Sequence, residues 1–431
     1  MPEPAVVLVC DGLPPWHPAE GLDEDPLGVM GVGHRLHGPV FRMAVDGVET
    51  VMVGTWPGLR ELVGAERGRL EVLNTPLVHA LFGMALFNLT GEDHVEARRR
   101  LRPALSGRAL PGYVAPLVDV AVPETGRWVG PGVADLFAAA RELTHAMGAR
   151  ILLGIRPGEA DAAEFAEQFE RFVGATDVAP GRRRYAQARY WAGLRARRRL
   201  HELFNRRAAA GGAGSALPGL VAAFADAPVA SGPLADHLLA LLVAAQETTA
   251  SLVTWALIEL AAHREHAELA AAEARAAVAE PDLIVRSAAL PVVRAVLAET
   301  QRRHSPNLLS LRTAVGPVEL GGFRVPAGTR LAYCPSAGHF DPADFPQPHT
   351  FRPDRFLVQP GGAARLVAFG RGVHACLGRP VAELMAVTAV VAALHHGLPR
   401  LPAGPPGRVR YRPAKAPRDP LALVLDHGGA R

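Results

Sequence analysis

What the chain lacks narrows its chemistry first. Among 431 residues there are 3 cysteines, 5 tryptophans and 5 tyrosines, and aromatic residues amount to 6%. Cys10, Cys334 and Cys376 are too few for a disulfide framework and show no paired metal-ligand spacing. No uninterrupted apolar run reaches the ~18 residues that cross a bilayer. The longest early one, Ala5 to Cys10, is too short for a signal sequence or an anchor. A cytoplasmic protein without a membrane partner is therefore expected. Lysine occurs only as Lys415, so the positive charge is arginine, and 46 basic residues stand against 42 acids for a net charge of +4. Arginine clusters at 98–100, 182–184 and 197–199 lie in helical-looking segments and read as solvated faces. Nucleic-acid binding, which needs clustered positive charge with interleaved aromatics, is not expected.

What is present is apolar substance: 49% hydrophobic and 20% charged residues supply a large core and exclude wholesale disorder. Short apolar runs from Val40 to Val53, broken by Asp46-Gly47, predict a hairpin. A helical pattern follows from Gly58 to Ile155, broken near Thr75-Pro76, Gly91, Gly112 and Gly130-Pro131-Gly132. Helices are expected over 159–174 and up to Ala210, with a Pro180-Gly181 turn between them and a flexible connector over 208–216. Leu234 to His263 is apolar nearly all round, which marks a helix buried through the body of a domain. Ala267 to Glu280 and Asp282 to His304 read as further helices. Beyond Pro306 come short strands from Thr313 to Val325, a long loop from Cys334 to Val373, a last helix from Leu377 to His396 and a Pro-rich tail. With no repeat and no linker, the reading is one mainly α domain over 1–431 with a minor β-rich region.

The most informative stretch is Phe369-Gly370-Arg371-Gly372-Val373-His374-Ala375-Cys376-Leu377-Gly378. Two glycines permit a tight loop with positive φ. Cys376 then stands at the start of an apolar helix, where unpaired amides and the helix dipole favour a thiolate. A thiolate so placed suits an axial ligand to heme iron. His374 could reach a heme propionate, and Gly378 would let the backbone approach the porphyrin. A lone cysteine is more often a buried small hydrophobe, but the full ten-residue pattern outweighs that reading. It resembles the heme-binding signature of the cytochrome P-450 superfamily, the heme-thiolate monooxygenases.

Other segments extend the resemblance. Glu299-Thr300-Gln301-Arg302 sets acid and base on one helix face. Pro348-His349-Thr350-Phe351-Arg352-Pro353-Asp354-Arg355-Phe356 resembles the segment whose arginine, here Arg355, joins Glu299 and Arg302 in a buried network. Ala244-Ala245-Gln246-Glu247-Thr248-Thr249 is similar to the oxygen-activating segment. The resemblance puts Ala244 against the heme, Thr248 beside bound oxygen and Glu247 in a proton relay, the bland alternative being a threonine bonded to the carbonyl one turn back. Ala245 stands where glycine is common. His94, Arg98 and Arg312 match propionate-binding positions, and Phe369 belongs to the loop signature. Ala337-Gly338-His339-Phe340-Asp341-Pro342 departs from the family, where Asn-Arg usually precedes that Asp-Pro. The histidine pairs His263/His266 and His395/His396 read as ordinary helix-end residues.

The resemblance covers roughly Pro26 to Val424. It implies heme b held by Cys376, a soluble bacterial-type monooxygenase fed electrons by a ferredoxin and its reductase, and dioxygen split to oxidise a small, largely hydrophobic molecule of secondary metabolism. A monomer is the family default. The basic residues Arg99, Arg100 and Arg102 would greet the redox partner. Substrate would meet Leu81, Phe82, Phe172, Tyr190, Leu241, Ala245, Leu308 and Leu309. Two competing readings are oxidative coupling without oxygen insertion and a non-catalytic heme sensor. The second has no use for Glu247-Thr248.

Overall fold

The computed structural model describes residues 8–9, 25–66, 68–177, 181–212, 214–229, 232–286, 288–307, 309–358 and 365–426. The chain divides into two compact units. The first comprises Met1–Leu73, Ala298–Cys376 and Arg408–Arg418; the second comprises Asn74–Leu297, Leu377–Gly407 and Asp419–Arg431.

The first unit is built on a five-stranded sheet in the order Val40–Val45, Val48–Val53, Arg330–Tyr333, Ser310–Ala314, Leu70–Val72. Its hairpin closes with Val45 opposite Val48. Asp46 and Gly47 take φ of 52° and 73°, the two left-handed positions of the turn that matches strand twist. Val48–Val53 pairs parallel with Arg330–Tyr333, Val51 facing Leu331, and the remaining ladders are antiparallel. One face carries Val51, Val53, Leu62, Leu331 and Tyr333; the other carries Met30, Phe41, Met52 and Cys334. Phe323–Val325 and Val318–Leu320 form an antiparallel pair in a smaller sheet. Two elements go beyond the sequence pattern. The strand Leu70–Val72 is too short to show a period. The helix Pro26–His37 contains three glycines, each costly in a helix interior. It forms because Asp25 accepts the Gly28 amide at 3.0 Å, Pro26 fits the first turn, and Val29 and Met30 are buried.

The second unit is helical. Its central helix, Leu234–Ala262, has 29 residues. Length and composition would let it cross a membrane, but from Thr249 to Leu260 every residue is buried within the protein. The helices Pro111–Gly126, Leu136–Leu153, Arg264–Ala279 and Arg379–His396 accompany it, the last buried from Leu384 through Leu394. Leu398–Arg400 pairs antiparallel with Val424–Asp426.

The helix expected from Asp282 starts only at Pro291. Leu290, before the proline, sits at φ 57°, consistent with the clash that drives a pre-proline residue out of the helical region. Glu273 then caps the helix, its two oxygens accepting the Val292 and Val293 amides at 2.9 Å each. The connector expected over 208–216 falls between the helices Ala188–Ala209 and Leu217–Phe224. Its first two residues end the former, and the Ala216 amide is bonded to the Ile151 carbonyl at 2.7 Å. Of the turn expected at Pro180-Gly181, Pro180 lies outside the described residues, as does Cys10.

Candidate active site

In the sheet-bearing unit, Gly370 and Gly372 take φ of 67° and 78°, conformations that side-chain-bearing residues rarely adopt. The loop they form is tied back by the Cys376 amide, which donates to the Phe369 carbonyl at 2.8 Å, and by the Gly370 amide, which donates to Val367 at 2.8 Å. Gly372–His374 is a single 3-10 turn, with Phe369 and His374 half-buried. Cys376 is exposed, two residues ahead of Gly378, which caps the helix Arg379–His396. Cys334 shows the opposite environment: it is buried, and burial pushes its thiol up to about 11. An exposed cysteine on a glycine-shaped loop is therefore the one of these two able to act as a ligand. A Cβ built on Gly378 would meet no described atom within 4 Å.

Arg312 lies under the same loop. Its Nε and Nη2 donate to Glu66 Oε1 at 3.0 and 2.8 Å, and both residues are buried. Glu66 Oε2 stands where a Cβ on Gly372 would be, so a side chain at this position would have to displace the carboxylate. Arg312 thus already holds a carboxylate partner that the sequence pattern did not reveal.

Glu299, Arg302 and Arg355 meet. Arg302 donates from Nε and Nη2 to the two Glu299 oxygens at 2.8 Å each, with both side chains fully buried. Arg355 Nε stands 3.1 Å from Glu299 Oε2, and the Arg352 amide donates to Glu299 Oε1 at 3.0 Å. Arg302 also donates to the carbonyls of His339 and Pro348 at 2.8 and 2.7 Å. A buried bidentate pair with its remaining donors satisfied fixes the loops it touches.

His339 completes the link. Its Nδ1 lies 3.1 Å from the Arg302 carbonyl, and its Nε2 lies 2.9 Å from the Val367 amide. The carbonyl can only accept and the amide only donate, so the ring is neutral with its proton on Nδ1. Burial lowers its pKa to about 3. The imidazole therefore joins the Arg302 helix to Val367, whose carbonyl holds the start of the cysteine loop. It stands in the segment where the sequence departs from the family pattern.

This geometry sets a pH dependence. The unfolded chain protonates His339 near the ordinary value of about 6.5, whereas the folded protein resists until about 3. Stability is complete above the first value and is lost as pH falls toward the second. The fully buried His304, also held well below its ordinary value by burial, acts in the same direction. Thermal denaturation from pH 7 down to pH 4.5 is expected to show a steadily falling midpoint, up to about 1.4 kcal/mol per pH unit for each such histidine. A His339→Asn variant should show a shallower slope; an unchanged slope would contradict this assignment.

In the helical unit, most of the central helix is buried, but Ala244 and Thr248 are exposed, and Leu241 and Ala245 are partly so. The spacings of three and four put these four residues on one stripe. The Thr248 hydroxyl donates to the Ala244 carbonyl at 2.7 Å. Glu247 is anchored by Arg141, whose Nε lies 2.6 Å from Oε1. His94 is buried on the helix Gly91–Leu105 one turn before the half-buried Arg98, and burial lowers its pKa. On the same helix Arg99 and Arg100 share Glu96, and Arg100 also reaches Asp226 at 2.7 Å. Arg102 is exposed.

Of the residues expected to line a substrate pocket, Leu81, Phe82 and Phe172 are buried, with Phe82 edge-on to Phe172 and Phe87 at 5.1 and 5.0 Å. Tyr190 is buried edge-on to Tyr185 and Trp191, both substantially exposed. Leu309 is partly buried against the Met30–Phe41–Met52 core of the other unit, and Leu308 lies outside the described residues. Sequence reasoning missed Glu66, Arg141 and His339, since none falls in a spacing pattern with its partner.

The donor set suits a heme. An exposed thiol lies on a loop held by an internally bonded ion-pair network, Gly378 leaves open space beside it, and no competing metal cluster occurs among the described residues. Comparison with known proteins agrees. The sequence profile described as Cytochrome P450 matches residues 231–396. Cyclooctat-9-en-7-ol 5-monooxygenase of Streptomyces melanosporofaciens is 30% identical over 346 residues, covering 73% of this chain and 72% of that protein. Abscisic acid 8'-hydroxylase 2 of Oryza sativa subsp. indica is 29% identical over 424 residues, covering 93% of this chain and 82% of that one. Among solved structures, the retinoic acid-bound cyanobacterial CYP120A1 superposes with a TM-score of 0.79 at 21% identity over 97% of this chain and 99% of that one. The cytochrome P450DA heme domain gives 0.80 at 23%, over 96% of this chain and 97% of that one.

The chain belongs to the cytochrome P450 family. It is an oxidoreductase that incorporates oxygen, a class that uses heme, dioxygen and a small-molecule substrate.

Proposed function

We propose that this protein is a heme b-dependent hydroxylase of a small, largely hydrophobic molecule, in which both units serve one catalytic domain spanning 1–431. The exposed Cys376 on its glycine-shaped, network-held loop carries the reading. Cys376 would hold the iron. His94, Arg98 and His374 would face the heme carboxylates, Arg312 joining them only on release from Glu66, with Ala244, Phe369 and Gly378 against the ring. When bound, a thiolate-ligated heme supplies reductive activation of dioxygen for insertion into a C–H bond.

The chain's own residues do the rest. Glu299, Arg302, Arg355 and His339 keep the loop rigid. Thr248, on the exposed stripe of the central helix, presents a hydroxyl that could turn from the Ala244 carbonyl to donate a hydrogen bond to dioxygen. Glu247, held by Arg141, is placed one residue earlier to pass protons. Leu81, Phe82, Phe172, Tyr190, Leu241, Ala245 and Leu309 would supply the apolar pocket. The printed activities of the two relatives, on abscisic acid and on cyclooctat-9-en-7-ol, support a hydrophobic substrate class. A cytoplasmic monomer reduced by a ferredoxin completes the proposal, with the exposed Arg102 offering charge to an acidic partner.

The test is turnover with mass detection, using a compound that shifts the Soret band of the ferric protein. A product heavier by one oxygen atom is expected, whereas loss of two hydrogens alone would replace hydroxylation by coupling chemistry. Thr248→Ala is expected to keep electron consumption while cutting product per electron roughly tenfold or more, within the range for losing one positioned proton donor. Full coupling in this variant would remove Thr248 from the mechanism.

A further inference from the structure

A cavity of about 490 Å³ lies wholly within the helical unit, between the helices Leu136–Leu153 and Ala160–Val173 and the central helix. None of its lining residues is among those assigned above to cofactor or substrate. Its volume is within the range of small-molecule sites, and its walls are mostly apolar, including Ala146, Ala149, Ile155 and Phe165.

Two buried polar atoms on its lining residues lack any hydrogen-bond or ion-pair partner. Gln246 is 3% exposed and its Oε1 accepts no hydrogen bond. His145 Nε2 is likewise buried without a partner, its ring stacked on Phe165 at 4.6 Å and 18°. Burial, then the neighbouring Arg141, lowers the His145 pKa to about 4, so the ring is neutral near pH 7. Native proteins seldom leave such atoms unsatisfied. Of the charged lining residues, Arg141 pairs with Glu170 at 3.2 Å and with Glu247 at 2.6 Å, while Glu142 and Arg156, of opposite sign, are exposed. The lining therefore offers an acceptor on Gln246 and an imidazole nitrogen that can donate, in mostly apolar walls whose two arginines and two glutamates leave no net charge. A hydroxyl group both donates and accepts, and so satisfies both atoms.

We infer that this cavity is a second ligand site for a compact, neutral, mostly apolar alcohol, the chemical class that a hydroxylase produces. Arg141 lines the cavity and holds Glu247, so a bound alcohol acts on the carboxylate beside Thr248.

The test is calorimetric titration of the heme-loaded protein with cyclooctanol, imidazole being held on the iron to occupy the heme's open position. One equivalent is expected to bind to the unaltered protein and none to Ala146→Phe, which fills the cavity. Binding to Gln246→Leu should be about tenfold weaker, the effect of one lost hydrogen bond. Cyclooctanecarboxylate should bind far more weakly, because the buried Gln246 oxygen and the neutral His145 ring offer its charge no cation. No binding to the unaltered protein would overturn the inference, as for a cavity that takes only water. So would undiminished binding to Gln246→Leu, which decides the matter alone if Ala146→Phe does not fold. Carboxylate binding as tight as that of the alcohol would overturn the ligand class.

Discussion

Replacing Glu299 by Gln should destabilise the protein by about 3–5 kcal/mol, the cost of leaving buried cations without their counter-charge. Arg302 is fully buried and spends two donors on this carboxylate, and Arg355 stands beside it. An amide would supply one acceptor and turn its own donors toward a guanidinium. With total stabilities of about 5–15 kcal/mol, a large share disappears, and the loops at Arg352, His339 and Val367 lose their common anchor. Denaturant midpoint and heme content should fall together. Glu268→Gln, which breaks only the exposed pair with Arg264, should leave both unchanged. Equal behaviour of the two variants would mean that the buried network does not organise the loop.

Cys376→Ala should leave folding nearly intact, because the side chain is exposed, and should abolish both the thiolate-type heme spectrum and monooxygenase turnover. Cys334→Ala is the opposite case. That thiol is buried in the sheet core, so its removal costs packing and spares activity. Thermal denaturation and turnover of the two variants separate the roles. Turnover surviving in Cys376→Ala would remove the heme-thiolate assignment.

The architecture was legible where one residue pattern sufficed. Asp46-Gly47 between apolar runs specifies a hairpin turn, and the all-round apolar stretch from Leu234 specifies a buried helix. Glu299 and Arg302 are three residues apart, so their pairing needs only helical geometry. What the sequence hid depends on distant partners. Glu66 and Arg312 are 246 residues apart, with most of the helical unit's sequence between them, and a lone glutamate at a helix end carries no signal. His339 looks like a departure from a pattern until its ring is seen between the Arg302 carbonyl and the Val367 amide. The helix Pro26–His37 was obscured because burial overrides the poor propensity of its glycines. The start of the helix Pro291–Arg303 was displaced because Pro291 and Leu290 act as a local stop inside a longer apolar pattern.

Glu66, His339 and the Glu299 network act on the same loop. Glu66 lies beneath Gly372, His339 holds Val367, and the Glu299 network holds His339 and Pro348. Together they would deliver Cys376 to a heme iron. The optical spectrum of the purified, heme-loaded protein, reduced and exposed to carbon monoxide, reads this ligation without a substrate. The strongly red-shifted Soret band of a thiolate-ligated ferrous–carbonyl heme is expected, lost on Cys376→Ala. A band at the position of a histidine-ligated heme in the unaltered protein, or one indifferent to Cys376→Ala, would contradict it.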